Sequence, residues 1–151
     1  MKALTIWQPH ASLLALGVRT IETRGWSTTY RGPLVIHAAK KWDRFRAEDW
    51  KYANSLARQF FARQFLHHGW TRPTLLDASV ADTLGCALGV VELVDCRPIP
   101  ESCGTSADRY FGEFGNGRFG LFLENPRPFD KPIPCIGRQG RPWEWSEGIP
   151  W

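Results

Sequence analysis

The chain has no apolar run approaching the roughly 18 residues needed to span a membrane. Its first residues, MKALTIWQPH, turn polar too early for a secretory leader, so none is expected and a cytoplasmic setting is. Cysteine is scarce: Cys86, Cys96, Cys103 and Cys135 form no C-x-x-C pair, which points to free thiols rather than a disulfide framework. Even with His67 and His68 added, their spacing fits no recurring zinc pattern, so no metal is expected. No phosphate-cradling glycine loop, Ser-His-Asp arrangement or catalytic carboxylate pair stands out, and nothing calls for a cofactor. There is no internal repeat and no linker, so residues 1–151 read as a single domain.

Tryptophan, in contrast, is plentiful, with eight in 151 residues. Indoles are costly to bury completely and are often used to stack on flat ligands. The net charge of +4 is a weak sign of polyanion binding, but its distribution says more. Residues 40–72 carry eight basic side chains (Lys40, Lys41, Arg44, Arg46, Lys51, Arg58, Arg63 and Arg72) against three acids, a net of +5. The rest of the chain therefore sums to −1.

Hydrophobic patterning predicts a strand over KALTIW, then a short helix over HASLLAL, opened by Pro9 and closed by Gly17. VRTIETRGW alternates as a strand, with Arg19, Ile21 and Thr23 on one face and Thr20, Glu22, Arg24 and Trp26 on the other. PLVIHAAK reads as a buried strand. Leu34, Ile36 and Ala38 share one side of it; Val35, His37 and Ala39 share the other. Over 41–68, Trp42, Phe45, Ala53, Leu56 and Phe60 recur at helical spacing, broadened by Trp50, Ala57 and Phe61. This predicts one or two amphipathic helices. CALGVVELVDC is a core strand, Asn116-Gly117 a hairpin signal, and RFGLFLEN the strand after it. The stretch PRPFDKPIPCIGRQGRPWEW mixes proline and glycine and ends in a Trp-Glu-Trp edge. Short strands separated by turns favour an α+β fold: a small barrel-like sheet with helices outside it.

The segment TIWQPHASLLALGVRTIETRGWSTTYRGPLVIHA resembles the opening motif of the ASCH family, the activating-signal-cointegrator homology domain. That motif runs Gln-Pro-Trp, a short helix, Gly-x-Lys-x-x-Glu-x-Arg-x-Trp, then Arg-Gly-x-x-x-Ile-His-Ala. Gln8-Pro9, Gly17, Glu22, Arg24, Trp26, Arg31-Gly32 and Ile36-His37-Ala38 match it in order and spacing. GVVELVDC and LFLENPRPFDKPIPCIGRQGRPWEW resemble the family's later strands. The resemblance implies a PUA-like β-barrel, a cleft beside the first helix lined by the motif residues, and nucleic acid or a nucleoside as ligand. The basic segment at about 41–84 then becomes a helical insertion packed on the outside. Two positions depart from the pattern: Arg19 stands where the family has lysine, and His10 follows Gln-Pro. Some small proteins similar to this motif deacetylate acetylated cytidine with a Lys-x-x-Thr pair. Arg19 and Glu22 occupy those places here, and an arginine does not surrender its proton to act as a base.

Glu22 and Arg24, two apart on one strand face, either pair with each other or converge on a ligand. Glu22 suits the exocyclic amine of a base, and Arg24 a phosphate or carbonyl oxygen. Trp26 shares their face and suits stacking, worth about 1–3 kcal/mol per base. Gln8 either caps the first helix or faces a ligand, and His10 sits at the first helical turn. His37 is either a satisfied core histidine or a general acid–base at the cleft floor. Tyr30 and Arg31 are rim candidates, Arg31-Gly32 being equally good turn chemistry. The expected ligand set is thus Gln8, His10, Arg19, Glu22, Arg24, Trp26, Tyr30, Arg31 and His37, with Glu22, His37 and Arg19 the candidates for any catalysis. Lys40, Lys41, Arg44, Arg46, Arg58 and Arg63 form either a phosphate track or a solvated helix face.

The leading expectation is a monomeric nucleic-acid binder, RNA favoured over DNA, taking one base or nucleotide into the cleft. One alternative is an enzyme: a nuclease using His37 or His10 with Arg19 and Arg24, or a divergent amidohydrolase using Glu22. The other is a protein-interaction module of a transcription or RNA-processing complex, docking through the Trp/Phe-rich insertion.

Overall fold

The computed structural model describes residues 1–42, 47–100 and 103–148. Strand β1 (Lys2–Ile6) leads into helix α1 (His10–Ala15), and strands β2 (Ile21–Arg24) and β3 (Gly32–Ala38) follow. Helix α2 (Ala47–His68), a 3₁₀ turn (Thr74–Asp77) and helix α3 (Val80–Thr83) come next. The chain ends with β4 (Cys86–Pro98), α4 (Ser106–Phe111), β5 (Phe119–Pro134) and β6 (Trp143–Glu144). Gly17 stops α1 with φ +73°, and a Cβ there would lie 2.5 Å from Pro126 Cγ, so both backbone and space require glycine.

The six strands form one sheet in the order β2-β5-β4-β3-β1-β6. β1 and β3 run parallel; every other pair is antiparallel. Among the described residues no ladder joins β2 to β6, so the sheet is open and the expected closed barrel is not formed. Register shifts in the β3/β4 and β4/β5 ladders bend the strands.

Each face of the sheet has its own apolar cluster. Leu4, Ile6, Leu34, Ile36 and Ala38 meet α1 and the Ala53–Ala57–Phe61 stripe of α2 in the main core. Ala3, Val35, Ala87 and Val90 meet Phe129 and Trp145 on the other side. The period of two read from PLVIHAA therefore sorts β3 correctly, and it puts His37 on the Val35 side.

Three expectations change. The segment 41–68 yields one helix; of its predicted stripe Ala53, Ala57 and Phe61 are buried, and Leu56 and Phe60 only half-buried. Ala53 and Ala57 line a narrow space between α2, α1 and the 3₁₀ turn, shared with Leu13, Leu16, Leu75 and Leu76. Trp42 precedes the helix, and Phe45 lies outside the described residues. β5 runs on through Pro126, Pro128, Pro132 and Pro134. β2 covers it only from Phe119 to Phe122, so its later residues form an edge where a missing N–H costs nothing. Finally, Asn116-Gly117 turns the chain into β5 after α4 rather than closing a two-residue hairpin.

Candidate functional site

The start of α1, β2 and the turn before β5 enclose a cleft. It consists of two adjoining depressions of about 160 and 340 Å³ that share His10, Glu22, Thr23 and Arg118. Ile6, Trp7, Arg24 and Trp26 line the larger one, and Arg19, Phe111 and Glu113 the smaller.

Glu22 sits between two guanidinium groups. Arg24 Nε lies 3.0 Å from one carboxylate oxygen and Arg19 Nη1 lies 3.6 Å from the other. Alternation along β2 brings Glu22 and Arg24 together, as the spacing implied, and Arg24 Nη2 also donates to the Thr5 carbonyl at 3.1 Å. Arg19 precedes the strand, so strand alternation does not govern it. Its side chain turns under the cleft, 2% exposed, and reaches Asp108 at 3.6 Å, the Ile21 carbonyl at 2.7 Å and His10 Nδ1 at 3.0 Å. Burial holds the Arg19 pKa below its ordinary value, while Glu22 and Asp108 pull it back up. Arg19 is a positioning cation rather than a base.

A guanidinium only donates, so His10 Nδ1 must accept from Arg19, which places the imidazole proton on Nε2. The His10 ring also packs edge-on against Phe111, 5.8 Å between centroids.

Asp108 is fully buried and joins the site to α4. It accepts from Thr20 N, Ile21 N, Thr20 Oγ1, Thr105 N and Thr105 Oγ1 at 2.9–3.0 Å. The same carboxylate closes the capping box of α4. Arg118 donates to the Thr23 carbonyl at 3.1 Å and lies 3.5 Å from Glu113, so it edges the cleft from the β5 side. Sequence reasoning missed Asp108 and Arg118. The Thr105-x-x-Asp108 spacing was a readable capping signal, but nothing local to Arg118 connects it with residues 95 positions earlier.

Four expected ligand residues lie elsewhere. Gln8 is buried and spent on structure: its Oε1 accepts from Ser12 N at 3.0 Å, and its Nε2 donates to Ser12 Oγ and Thr83 Oγ1 at 2.7 and 2.8 Å. It staples α1 to α3. The Tyr30 hydroxyl donates to the Pro33 carbonyl, and Arg31 donates to the Thr28 and Tyr30 carbonyls and to Asp95. Both rigidify the β2–β3 connection, and neither lines the cleft. His37 is on the other face of the sheet, in a separate groove of about 760 Å³.

Trp26 does line the cleft, with the guanidinium groups of Arg24 and Arg141 over its ring at 5.7 and 5.3 Å. Trp7 is a second indole in the wall.

Within the basic segment, Arg58 and Arg72 both pair with Asp77, so part of that charge is already compensated. Arg63 is exposed on α2, Lys40 and Lys41 border the His37 groove, and Arg44 and Arg46 fall outside the described residues. Among the described residues no group of three His, Cys, Asp or Glu side chains is placed to hold a metal ion. No helix there is long and apolar enough to cross a membrane.

A mixed α+β domain with a charged, indole-walled cleft beside its first helix is the class of protein that these features define. The ASCH domain model matches residues 4–132, and the chain belongs to that family, with its PUA-like fold. A comparison with curated proteins finds no match.

Proposed function

We propose that this ASCH domain binds single-stranded nucleic acid, RNA in preference to DNA, by taking one nucleotide into the cleft between α1 and β2. The observation that carries this reading is the convergence of unlike recognition groups there. An acceptor (Glu22), donors (Arg24, Arg118 and His10) and two indoles (Trp7 and Trp26) line one open depression. A base needs a flat partner and edge hydrogen bonds; its phosphate needs a cation. Glu22 meets an exocyclic amine, Arg118 a phosphate oxygen, and Trp7 the base face. Arg19 and Asp108 hold Glu22 and the start of β2 in place beneath them.

Fluorescence anisotropy with short RNA and DNA oligonucleotides at low and moderate salt tests this. Arg118→Ala should weaken binding and lower the salt slope by about 0.7, the contribution of one contact to a single strand. Glu22→Gln should weaken binding by about tenfold or more, the loss of one charge-assisted hydrogen bond. Absence of binding at low salt sinks the reading.

A hydrolytic reading has one observation behind it: Arg19 fixes the His10 proton on Nε2, within the cleft that also holds Glu22. Turnover of RNA or acetylated cytidine that disappears in His10→Ala would establish it.

A docking role for α2 rests on the exposure of Phe65 (64%), Leu66 (78%) and Trp70 (53%) near its C-terminal end. A partner bound there is lost on Phe65→Ser with Trp70→Ser, while RNA binding is retained.

A further inference from the structure

The groove that holds His37 is separate from the cleft and shares no lining residue with it. Its floor is a chain of donors and acceptors. Trp143 Nε1 donates to Thr5 Oγ1 at 3.2 Å, and Thr5 Oγ1 lies 3.1 Å from His37 Nδ1. An indole can only donate, so the Thr5 hydroxyl accepts from Trp143 and keeps its own proton free to give to His37 Nδ1. With that bond made, the neutral imidazole carries its proton on Nε2. Nε2 is buried and makes no well-formed hydrogen bond, although the Cys135 and Gly85 carbonyls lie near the ring. His37 is 2% exposed, and a buried donor left unmade is costly.

The groove is shaped around this ring. A Cβ on Gly137 would stand 2.1 Å from His37 Cε1, so only glycine lets the segment after β5 lie against the imidazole. The volume of about 760 Å³ falls within the range of small-ligand sites. Lys40 and Lys41 give the groove a cationic border.

The groove and the cleft meet at the end of β1. Lys41 lines the groove, and its Nζ lies 5.7 Å over the ring of Trp7, which walls the cleft. Thr5 turns its side chain to His37 and its carbonyl to Arg24. Thr5 and Trp7 are two residues apart, about 6.6 Å of strand rise. That is close enough for neighbouring units of one strand.

We propose that the His37 groove is a second nucleotide subsite. When single-stranded RNA places one nucleotide in the cleft, the adjacent nucleotide enters the groove. The phosphate between them passes Lys41, and His37 Nε2–H donates to a carbonyl or phosphate oxygen of the second nucleotide. This rests on the reading of the cleft as a nucleotide site.

Calorimetry with 5′-phosphorylated RNAs of one, two, three and four nucleotides tests it, alongside the indole N–H resonance of Trp143. Affinity should rise about tenfold from one nucleotide to two and little thereafter. The Trp143 resonance should shift with the dinucleotide more than with the mononucleotide. Lys40→Ala, a change at an exposed position, should lower the ratio of dinucleotide to mononucleotide affinity at least threefold. Equal affinity for both lengths with an unmoved Trp143 resonance overturns the second subsite and leaves the cleft standing. Failure of every length to bind overturns the cleft reading, and the subsite falls with it.

Discussion

Arg19 shows how a functional-looking residue serves structure. Its guanidinium is enclosed by Glu22, Asp108, His10 and the Ile21 carbonyl, and a planar fork of donors meets those directions better than an ammonium would. Removing it leaves the buried Asp108 without its cation and Glu22 with Arg24 alone. Arg19→Ala should therefore cost about 3–5 kcal/mol, and melting should fall by at least about 6 °C in thermal unfolding followed by circular dichroism. His37 gives a pH prediction. Burial holds its pKa below the ordinary 6.5, with the carbonyls of Cys135 and Gly85 offsetting this in part. The unfolded chain thus takes up a proton at this residue before the folded one does. Stability should fall as pH drops below about 6.5 and go on falling until the folded imidazole also titrates. Urea unfolding at a series of pH values should show this slope, and His37→Asn should flatten it.

At the scale of elements, α4 is small but anchors the site. Thr105 caps it, and the same Asp108 that completes the cap holds Thr20, Ile21 and Arg19. Thr105→Ala should cost about 1 kcal/mol by chemical denaturation. It should also weaken RNA binding although Thr105 does not line the cleft, because Arg19 and Glu22 lose a fixed neighbour. Gly17→Ala is a harsher change: φ +73° and the approach to Pro126 both oppose a Cβ, and a loss of more than about 1 kcal/mol is expected. The stripe of α2 was legible in part: Ala53, Ala57 and Phe61, all within the predicted stripe, are buried, while the bulkier Leu56 and Phe60 are only half-buried.

For the whole molecule, what repeats locally was legible and what depends on distant parts was not. The alternation in IETR put Glu22 and Arg24 on one face because four residues of strand suffice to do so. The alternation in PLVIHAA equally separated His37 from Leu34 and Ile36, yet His37 was assigned to the α1 cleft. Only the sheet order, with β3 and β1 side by side and α1 over one face, shows that the Val35 side opens into a different groove. Gln8 and Arg31 could not be resolved from sequence, since capping and ligand binding use the same side-chain chemistry. Arg118 and Asp108 reach the site from parts of the chain about 90 residues away, a juxtaposition that no local pattern encodes. The open sheet has the same origin: closing a barrel needs β2 to reach β6, and each strand's own sequence is silent on that.

Photo-crosslinking measures where the nucleic acid lies. A short single-stranded RNA carrying 4-thiouridine, bound at low salt, irradiated and mapped by peptide mass spectrometry, should attach to the peptides containing Trp7, His10 or Trp26, and Glu22→Gln should reduce the yield. Crosslinks confined to the exposed Phe65–Trp70 end of α2, with the cleft peptides unmodified, would contradict the account.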